Sequence, residues 1–347
     1  MRVVFRVDSN PHHSPSRLCR SLALSSGLKD SDPSCEVTFL LTGPKEDEEI
    51  IRSQGYQCRH LGITSLPAWN REVTAGALDE LKSDMLIVDD PGIDRLYLQE
   101  MRSKAFVIVI DDSMALESYC VNGLVNPNPN AHTFPYRSEG GELFLGTEFA
   151  MIPKEFDAYQ DMQRENPEKV RRVFVEFPGS DRRGATLEAV RLLKALPGSF
   201  VADIFVSRDF SHGEDLAKEI GLDDRFIFMN DGPGKERKMA AADFAITSPG
   251  ISFQELMMLH VPSALISNPE SPGQSSVGEY AGMNGFALYL GEAGATESGP
   301  VLSHLLSDRD ARERMSVRVG DLVDGLGRFR LADELLRLAN PISADGQ

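Results

Sequence analysis

The sequence is poor in the residues that mark disulfide-rich or metal-bound domains. It has four cysteines, all isolated, and seven histidines, of which only His12 and His13 are adjacent. No pair of cysteines has the spacing of a zinc site. We therefore expect free thiols in a reducing cytoplasm and no metal centre.

Long hydrophobic runs and excess positive charge are also missing. No apolar run reaches the roughly 18–20 residues of a membrane-spanning helix. Met1–Asp8 enters a strand pattern directly, without the regions of a signal peptide. Lys and Arg total 36 against 53 Asp and Glu, a formal net charge of −17, which disfavours binding to nucleic acid or to anionic membranes. A small anionic ligand is still permitted, because a few amides and arginines can bind one.

Short apolar runs alternate with helix-like segments along the 347 residues. Runs that are apolar throughout are typical of parallel strands buried on both faces. In the first half they are Val3–Val7, Val37–Leu41, Met85–Val88 and Phe106–Ile110. In the second half they are Val173–Phe177, Val201–Val206, Phe226–Met229, Phe244–Thr247, Ser263–Ile266 and Ala287–Leu290.

This rhythm predicts an α/β protein of two Rossmann-like domains with parallel sheets, over residues 1–160 and 161–347. Lys154–Arg172 is polar and is expected to connect the domains, with some helical content. Ser307–Leu338 is expected to be helical and either to cap the second domain or to return to the first. Ligands of open parallel sheets bind at the carboxyl ends of the strands, so the default site is a cleft between two facing sheets.

The first strand-to-helix turn, from Asp8 to Arg17, gathers polar side chains before a helix. One interpretation is an active-site loop, with His12 or His13 as a base and Arg17 or Arg20 meeting negative charge. The alternative is an ordinary solvated loop in which Ser14 caps the helix.

The turn Phe177–Gly184 precedes a helix in the second half. Gly179 and Ser180 fit an anion cradle, since helix N-terminal amides and the helix dipole favour phosphate. The turn lacks a Walker or dinucleotide-binding fingerprint, so a plain loop is about equally compatible with the pattern.

Two later turns add candidate ligand contacts. After the strand at Phe244–Thr247, Gly250 allows close approach of the backbone, and the nearby hydroxyls are those of Ser248 and Ser252. Glu255 lies one helical turn further on, where a carboxylate could accept both hydroxyls of a ribose; a solvated helix residue is the plainer interpretation. Gln274, after a loop rich in Pro and Gly, is a further candidate.

Two carboxylate pairs, Asp89–Asp90 and Asp111–Asp112, follow strands of the first half. They offer a general base or cation ligands. Capping of the next helix or turn is the more common use of such residues.

Several motifs, taken in order, resemble the UDP-sugar hydrolase family of pseudaminic acid biosynthesis, which includes spore-coat polysaccharide proteins described as glycosyltransferases. They span nearly the whole chain, although each is short. The matching stretches are Val4–Ser9, Arg20–Leu24, Leu86–Asp89, Gly92–Ile93, Ile108–Asp112, Val125–Asn128, Leu145–Phe156, Gly179–Asp181, Ser248–Glu255, Gln274 and Asp324–Ala332.

The resemblance implies the GT-B architecture, two Rossmann-like domains that bind a nucleotide sugar without a metal or other cofactor. It places the nucleotide, a UDP-sugar in this family, in the second domain. The diphosphate is then expected near Gly179, Ser180, Ser248, Gly250 and Ser252. The ribose or sugar is expected near Glu255 and Gln274.

The chain departs from the family in its first turn. The family pattern Gly-His-x-x-Arg aligns with Ser16–Arg20, so Arg20 is kept and Arg17 stands where the family has its catalytic histidine. Arginine cannot act as a base near neutral pH. The base is therefore expected to be His13 or His12, with Asp8 next.

Three functions remain open from the sequence. The first is glycosyl transfer from a nucleotide sugar to an acceptor hydroxyl, and the second is hydrolysis of a UDP-sugar. The third is non-catalytic binding of a nucleotide sugar. The sequence does not indicate an oligomeric state.

Overall fold

The computed structural model describes residues 1–9, 16–61, 67–230, 232–271, 273–295 and 299–340. The chain forms two compact units, one of Met1–Lys154 together with the chain from Leu326 onward, and one of Glu155–Gly325. Each unit is built on one parallel sheet, so the predicted α/β class is confirmed. None of the helices in the described ranges is long and apolar enough to cross a membrane.

The sheet of the first unit has seven strands. They are β1 (Arg2–Asp8), β2 (Glu36–Thr42), β3 (Gln57–His60), β4 (Met85–Asp89), β5 (Phe106–Ile110), β6 (Gly123–Asn126) and β7 (Glu142–Leu145). Their order is β3-β2-β1-β4-β5-β6-β7. The four apolar runs of the first half form β1, β2, β4 and β5. The other three strands are four residues each and lack a long apolar run, which is why the sequence pattern does not reveal them.

The sheet of the second unit has six strands, each at a predicted run to within about two residues. They are β8 (Arg172–Glu176), β9 (Val201–Val206), β10 (Phe226–Asn230), β11 (Phe244–Thr247), β12 (Ser263–Ser267) and β13 (Leu288–Glu292). Their order is β10-β9-β8-β11-β12-β13.

Helices connect successive strands. Those of the first unit are α1 (Ser16–Ser31), α2 (Lys45–Ser53), α3 (Pro67–Leu81), α4 (Arg95–Arg102) and, numbered in chain order, α12 (Gly327–Ala339). Those of the second are α5 (Ala185–Lys194), α6 (Gly213–Ile220), α7 (Lys235–Ala240), α8 (Ile251–Met258), α9 (Gln274–Met283), α10 (Gly299–Ser307) and α11 (Arg309–Gly320).

Strand order reverses once in each sheet, between β1 and β4 and between β8 and β11. Open α/β sheets bind ligands outside the carboxyl ends of the strands at such a reversal. In the second unit these ends are fixed by the pairing of Glu176 with Thr247. In the first unit Val7 pairs with Asp89. The fold thus singles out one edge of each sheet as a candidate site.

Aromatic and aliphatic side chains fill both faces of each sheet. Phe5 stacks on Phe39 with ring centroids 5.0 Å apart, and Phe174 packs against Phe205 at 5.1 Å. All four rings are at most 3% exposed. Burial of each such side chain contributes about 1.5–3 kcal/mol, so these strands hold their residues in a fixed register.

The C-terminal helix corrects the predicted domain boundary at the end of the chain. Instead of belonging wholly to a domain of residues 161–347, the chain from Leu326 onward returns to the first unit. Leu331 and Leu335 of α12 join the buried core that includes Leu24 and Leu28 of α1. Of the two alternatives for the helical tail, α11 stays in the second unit and α12 returns to the first.

Arg328 anchors this return. Its side chain is fully buried, Nη1 donates to the backbone oxygen of Ile152 at 3.2 Å, and the guanidinium lies 4.1 Å from the centre of the Phe329 ring. Arg330 donates to the backbone oxygen of Glu148. Two of the family-like stretches, around Leu145–Phe156 and Asp324–Ala332, therefore contact each other.

The predicted connecting segment contains less helix than the pattern indicates. A 3-10 helix covers Lys154–Tyr159, and residues 160–171 have neither helix nor strand. Arg164 nevertheless ties this stretch to the second unit, since it donates to the backbone oxygens of Ala240, Ala242 and Leu259 at 2.6–3.1 Å.

The close approach of α1 and α12 gives a testable prediction. A Cβ added at Gly27 would lie 2.6 Å from the backbone oxygen of Arg328. We expect Gly27→Ala to destabilise the chain by about 1–3 kcal/mol, because the helices must separate. Gly76→Ala on α3 is the control, since nothing lies within 4 Å of its added Cβ, and it should stabilise by up to about 1 kcal/mol through helix propensity. Urea unfolding measures both; equal effects of the same sign would contradict the packing argument.

Candidate functional site

Arg20 forms a buried ion cluster at the strand-order reversal of the first sheet. Its Nε and Nη2 donate to the two carboxylate oxygens of Asp89, each at 2.6 Å, and Nη1 donates to Asp112 at 2.8 Å. Burial disfavours the charged guanidinium, but the two carboxylates outweigh this effect and raise the pKa of Arg20. The charge of Arg20 is therefore satisfied within the unit.

Arg17, one helical turn earlier, is less fully engaged. Its Nε lies 3.6 Å from Asp89. Its Nη1 is buried and makes no hydrogen bond among the described residues. Arg17 thus has an unused N–H donor near the ends of the same strands, whereas Nε, Nη1 and Nη2 of Arg20 all donate to carboxylates.

Of the predicted base candidates, Asp8 is half-buried at the end of β1, where it pairs in register with Thr42. His12 and His13 lie outside the described residues, so their predicted role stays a prediction.

Two further carboxylates at strand ends of the first unit, Asp90 and Asp111, make structural contacts. Asp90 pairs with the buried Arg6 at 2.9 Å and also accepts from Asn70 at 3.0 Å. Asp111 accepts from the backbone amides of Ser113 and Ala115 at 2.8 and 2.9 Å. These are the structural uses expected for such residues. No group of three or more His, Cys, Asp or Glu in the described ranges is arranged to hold a metal ion.

In the second unit, the turn after β8 is closed by the chain's own carboxylate. Asp181 accepts from the amides of Ala185 and Thr186 at 2.9 and 2.8 Å, at the start of α5. Burial raises the pKa of Asp181, and these hydrogen bonds offset only part of that effect. These two amides are therefore already engaged within the chain, and the predicted anion cradle at Gly179 and Ser180 stays a prediction.

Gly179 and Ser180 lie in the same turn. Gly179 has φ +87°, a left-handed conformation that favours glycine, and its backbone oxygen accepts from the Ser207 hydroxyl. Ser180 is buried, and its backbone oxygen accepts from the Ser211 amide at 2.9 Å. These contacts tie the turn to the segment after β9.

The turn after β11 differs from the turn before α5. Its N-cap residue, Gly250, has no side chain to cap α8, and no side chain among the described residues accepts from the first amides of this helix, which carry the positive end of the helix dipole. Gly250 has an extended backbone with φ 177°, which any residue adopts, and a Cβ added there would meet nothing within 4 Å. The backbone conformation therefore does not require glycine at this position. The absence of a side chain leaves free space beside the turn. Ser248, just before it, is buried.

Ser252 and Glu255 lie three residues apart on one face of α8. Their exposures are 1% and 2%. Ser252 Oγ is buried and has no hydrogen-bond partner among the described residues. A buried hydroxyl without a hydrogen-bond partner destabilises the chain. An acceptor atom of a ligand would provide the partner that this hydroxyl lacks.

Lys235 joins the buried carboxylates of two elements. Its Nζ lies 3.3 Å from Glu255 Oε2 and 3.2 Å from Oε1 of Glu176 at the end of β8. The predicted solvated alternative for Glu255 is wrong, since its side chain is buried and paired.

Gln274 is the first residue of α9. Its Oε1 accepts from the backbone amide of Asn268 at 2.8 Å, so it shapes the loop after β12. Its amide nitrogen is the group with which it can donate to a ligand.

The second unit brings together residues that are far apart in sequence. Thr247 Oγ1 donates to the Glu176 backbone oxygen at 2.8 Å, and β12 pairs with β11. The three turns that were predicted to carry ligand contacts therefore start from adjacent strands. The sequence does not single out Glu176 and Lys235, because neither belongs to a recognisable motif. The one feature of the sequence that could have drawn attention to Lys235 is the Gly232–Gly234 turn just before it.

Comparison with known proteins supports the fold. No family model matches the chain. In sequence it is 19% identical to the uncharacterized protein MJ1062 of Methanocaldococcus jannaschii, over 98% of this chain and 67% of that protein.

Solved structures match over nearly the whole chain. Staphylococcus aureus MnaA, in a structure with UDP, has a TM-score of 0.70 at 12% identity, with 100% of this chain and 99% of that chain covered. Acinetobacter baumannii MurG has a TM-score of 0.65 at 13% identity, with 97% and 99% covered. The UDP-GlcNAc 2-epimerase of Neisseria meningitidis, bound to UDP-GlcNAc, has a TM-score of 0.65 at 10% identity, with 97% and 100% covered. The expected GT-B fold is thereby confirmed.

The Arg20 cluster predicts a large stability effect. Asp89→Asn should destabilise the chain by about 3–5 kcal/mol, because it leaves a buried guanidinium without its main counter-ion. Glu48→Gln, which removes the exposed i,i+4 pair of Glu48 with Arg52, is the control and should cost about 0.3–0.5 kcal/mol. Urea unfolding compares the two, and a loss below about 1 kcal/mol for Asp89→Asn would refute the assignment.

Proposed function

We propose that this chain is an enzyme that acts on a nucleotide sugar, with a UDP-sugar as the first choice, and transfers the glycosyl group to an acceptor hydroxyl. The GT-B fold supports this proposal, as do the UDP and UDP-GlcNAc present in two of the similar structures. The resemblance of the sequence motifs points in the same direction.

The observation that carries the proposal is the state of Ser252. Its hydroxyl is buried and has no partner within the part of the chain that the structure describes, and it lies in the first turn of α8, where helix N-terminal amides favour an anion. This helix begins at the strand-order reversal, the usual ligand position of such sheets. Three independent features of one spot thus favour a phosphate group.

In this proposal, the diphosphate binds the first amides of α8, with Ser248, Gly250 and Ser252 around it. Glu255 accepts the ribose hydroxyls, and Gln274 donates to the ribose or the sugar. Gly179 and Ser180, in the neighbouring turn, bound the space that the diphosphate occupies. The first amides of α5 do not bind it, since they donate to Asp181.

The reaction is a substitution at the anomeric carbon. The acceptor oxygen forms a bond to this carbon, the bond from carbon to the β-phosphate oxygen breaks, and the diphosphate leaves with the electron pair. A base takes the proton of the acceptor hydroxyl; we assign it to His13 or His12, with Asp8 next. Arg17, with its spare donor, suits the departing charge better than Arg20, which two carboxylates already neutralise.

Hydrolysis of a UDP-sugar is the second candidate, because the sequence resembles the hydrolase family along most of its length. The proposed difference lies at Arg17, which replaces the histidine of that family. A nucleotide-sugar binder without catalysis is the third candidate and follows from the same replacement.

A panel of UDP-, dTDP-, CDP- and GDP-sugars distinguishes the three candidates, with products identified by mass spectrometry. Turnover with an added acceptor alone supports transfer. Free sugar and nucleoside diphosphate without acceptor support hydrolysis. Tight binding without turnover in either case supports the binder, and no binding to any member contradicts the proposal as a whole.

Removal of the Ser252 hydroxyl separates binding from stability. Ser252→Ala should weaken UDP binding by about tenfold or more, the value of a hydrogen bond to a charged group. It should leave the unliganded chain as stable as before or more so, because an unsatisfied hydroxyl is removed. Calorimetric titration and urea unfolding measure the two effects.

The control is Ser263→Ala, since the buried Ser263 hydroxyl already donates to the Val261 backbone oxygen at 2.9 Å. This variant should lose about 1 kcal/mol of stability and keep its UDP affinity. If both variants behave alike, Ser252 does not contact the ligand.

The residue at position 17 tests the choice between transfer and hydrolysis. Arg17→His introduces an imidazole, which can act as a base near neutral pH, and should raise the release of free sugar without acceptor. Arg17→Gln removes the charge but adds no base, and should not raise it. Mass spectrometry measures the rate at which each variant releases free sugar. If this rate does not increase for the histidine variant, Arg17 does not align with the catalytic histidine of the family.

A further inference from the structure

The ion cluster of Glu176, Lys235 and Glu255 contains more charge than the fold requires. The side chains of Glu176 and Glu255 are 5% and 2% exposed, and that of Lys235 is 20% exposed. With both carboxylates ionised, these three side chains together carry one net negative charge. A buried ion pair is commonly no more stable than apolar residues of similar size, so stability does not account for it.

Local helix physics does not account for Lys235 either. It is the first residue of α7, where the positive end of the helix dipole disfavours a cation. What places it there is the chain path. α7 connects β10, at one edge of the sheet, to β11 at its centre, and its first residue reaches the end of β8 at the strand-order reversal.

We propose that Lys235 sets the charge of the nucleotide subsite, so that a diphosphate is accepted beside Glu255. This inference rests on the proposed function, since it concerns the same α8 turn. Glu255 and the unpartnered Ser252 share one face of α8, so a phosphate at Ser252 lies near the carboxylate that is to receive the ribose. Lys235 cancels one of the two negative charges that would otherwise repel the phosphate.

The role is one of positioning and specificity. Lys235 acts through the carboxylates, and it selects for the charge of the ligand. The affinity for an uncharged nucleoside depends little on the charge of the cluster, whereas the affinity for a nucleoside diphosphate depends on it strongly. The ratio of the two affinities therefore reports the function of Lys235, and a general loss of structure would lower both.

The experiment titrates UDP and uridine calorimetrically into the full chain and its variants. Lys235→Met removes the cation that lies between the two carboxylates and should weaken UDP binding by about tenfold or more, the size expected for one more negative charge a few ångströms from the diphosphate. Uridine binding should stay within about twofold. Lys218→Met, at an exposed residue of α6, is the matched control and should change neither affinity.

The double variant Lys235→Met with Glu176→Gln restores the charge of the wild-type cluster. It should regain UDP affinity to within about threefold of the wild type. If it does not, Lys235 contacts the phosphate directly and the proposal is overturned. Glu176→Gln alone should bind UDP at least as tightly as the wild type; this variant keeps the proposal testable if Lys235→Met does not fold, and a tenfold loss in it would contradict the proposal.

The outcomes also separate this inference from the proposed function. If the wild type binds no nucleoside diphosphate, the proposed function fails and the role of Lys235 fails with it. If the wild type binds UDP and Lys235→Met binds it equally well, the inference alone is wrong.

Discussion

The reversal of strand order between β8 and β11 is the constraint from which the candidate site follows. Where the order reverses, the connections leave on opposite faces of the sheet, and the carboxyl ends of two neighbouring strands stay uncovered. In this chain the carboxyl ends of β8 and β11 are held together by the register of Glu176 with Thr247 and by the hydrogen bond between them. Turns about seventy residues apart in sequence are adjacent for this reason.

Electrostatics then distinguishes two helices that look alike in the sequence. Both α5 and α8 follow a turn with Gly and Ser at the reversal. Asp181 accepts from two amides at the start of α5, whereas none of the described side chains caps α8, whose N-cap residue is Gly250. In a chain of net charge −17, an anion needs such a local positive end, and the α8 turn offers one. We propose the same role for Lys235, whose ion pairs with Glu176 and Glu255 limit the negative charge beside this turn.

The sequence predicts the sheet strands well where a continuous apolar run marks them. Ten strands lie at apolar runs, since parallel strands covered by helices contain few polar residues. The three it misses, β3, β6 and β7, are four residues each and too short to give a long apolar run, although β6 is buried throughout. The boundary at Leu326 is also missed, because the return of α12 depends on its packing against α1 and on the buried Arg328, which local pattern does not encode.

For the candidate site, the sequence predicts which turns carry ligand contacts but not the state of their groups. Ser248, Gly250, Ser252 and Glu255 are predicted from their position after a strand. That Asp181 fills one helix end, and that Lys235 pairs with Glu255, depends on contacts between segments far apart in the chain. Glu176 looks like the last residue of an ordinary strand until its partners are seen.

The most direct test of the account is a crystal structure of the chain with UDP. The account predicts the diphosphate within hydrogen-bond distance of the first amides of α8 and of Ser252 Oγ, with the ribose at Glu255. A diphosphate bound at the start of α5, or in the first unit, would contradict it.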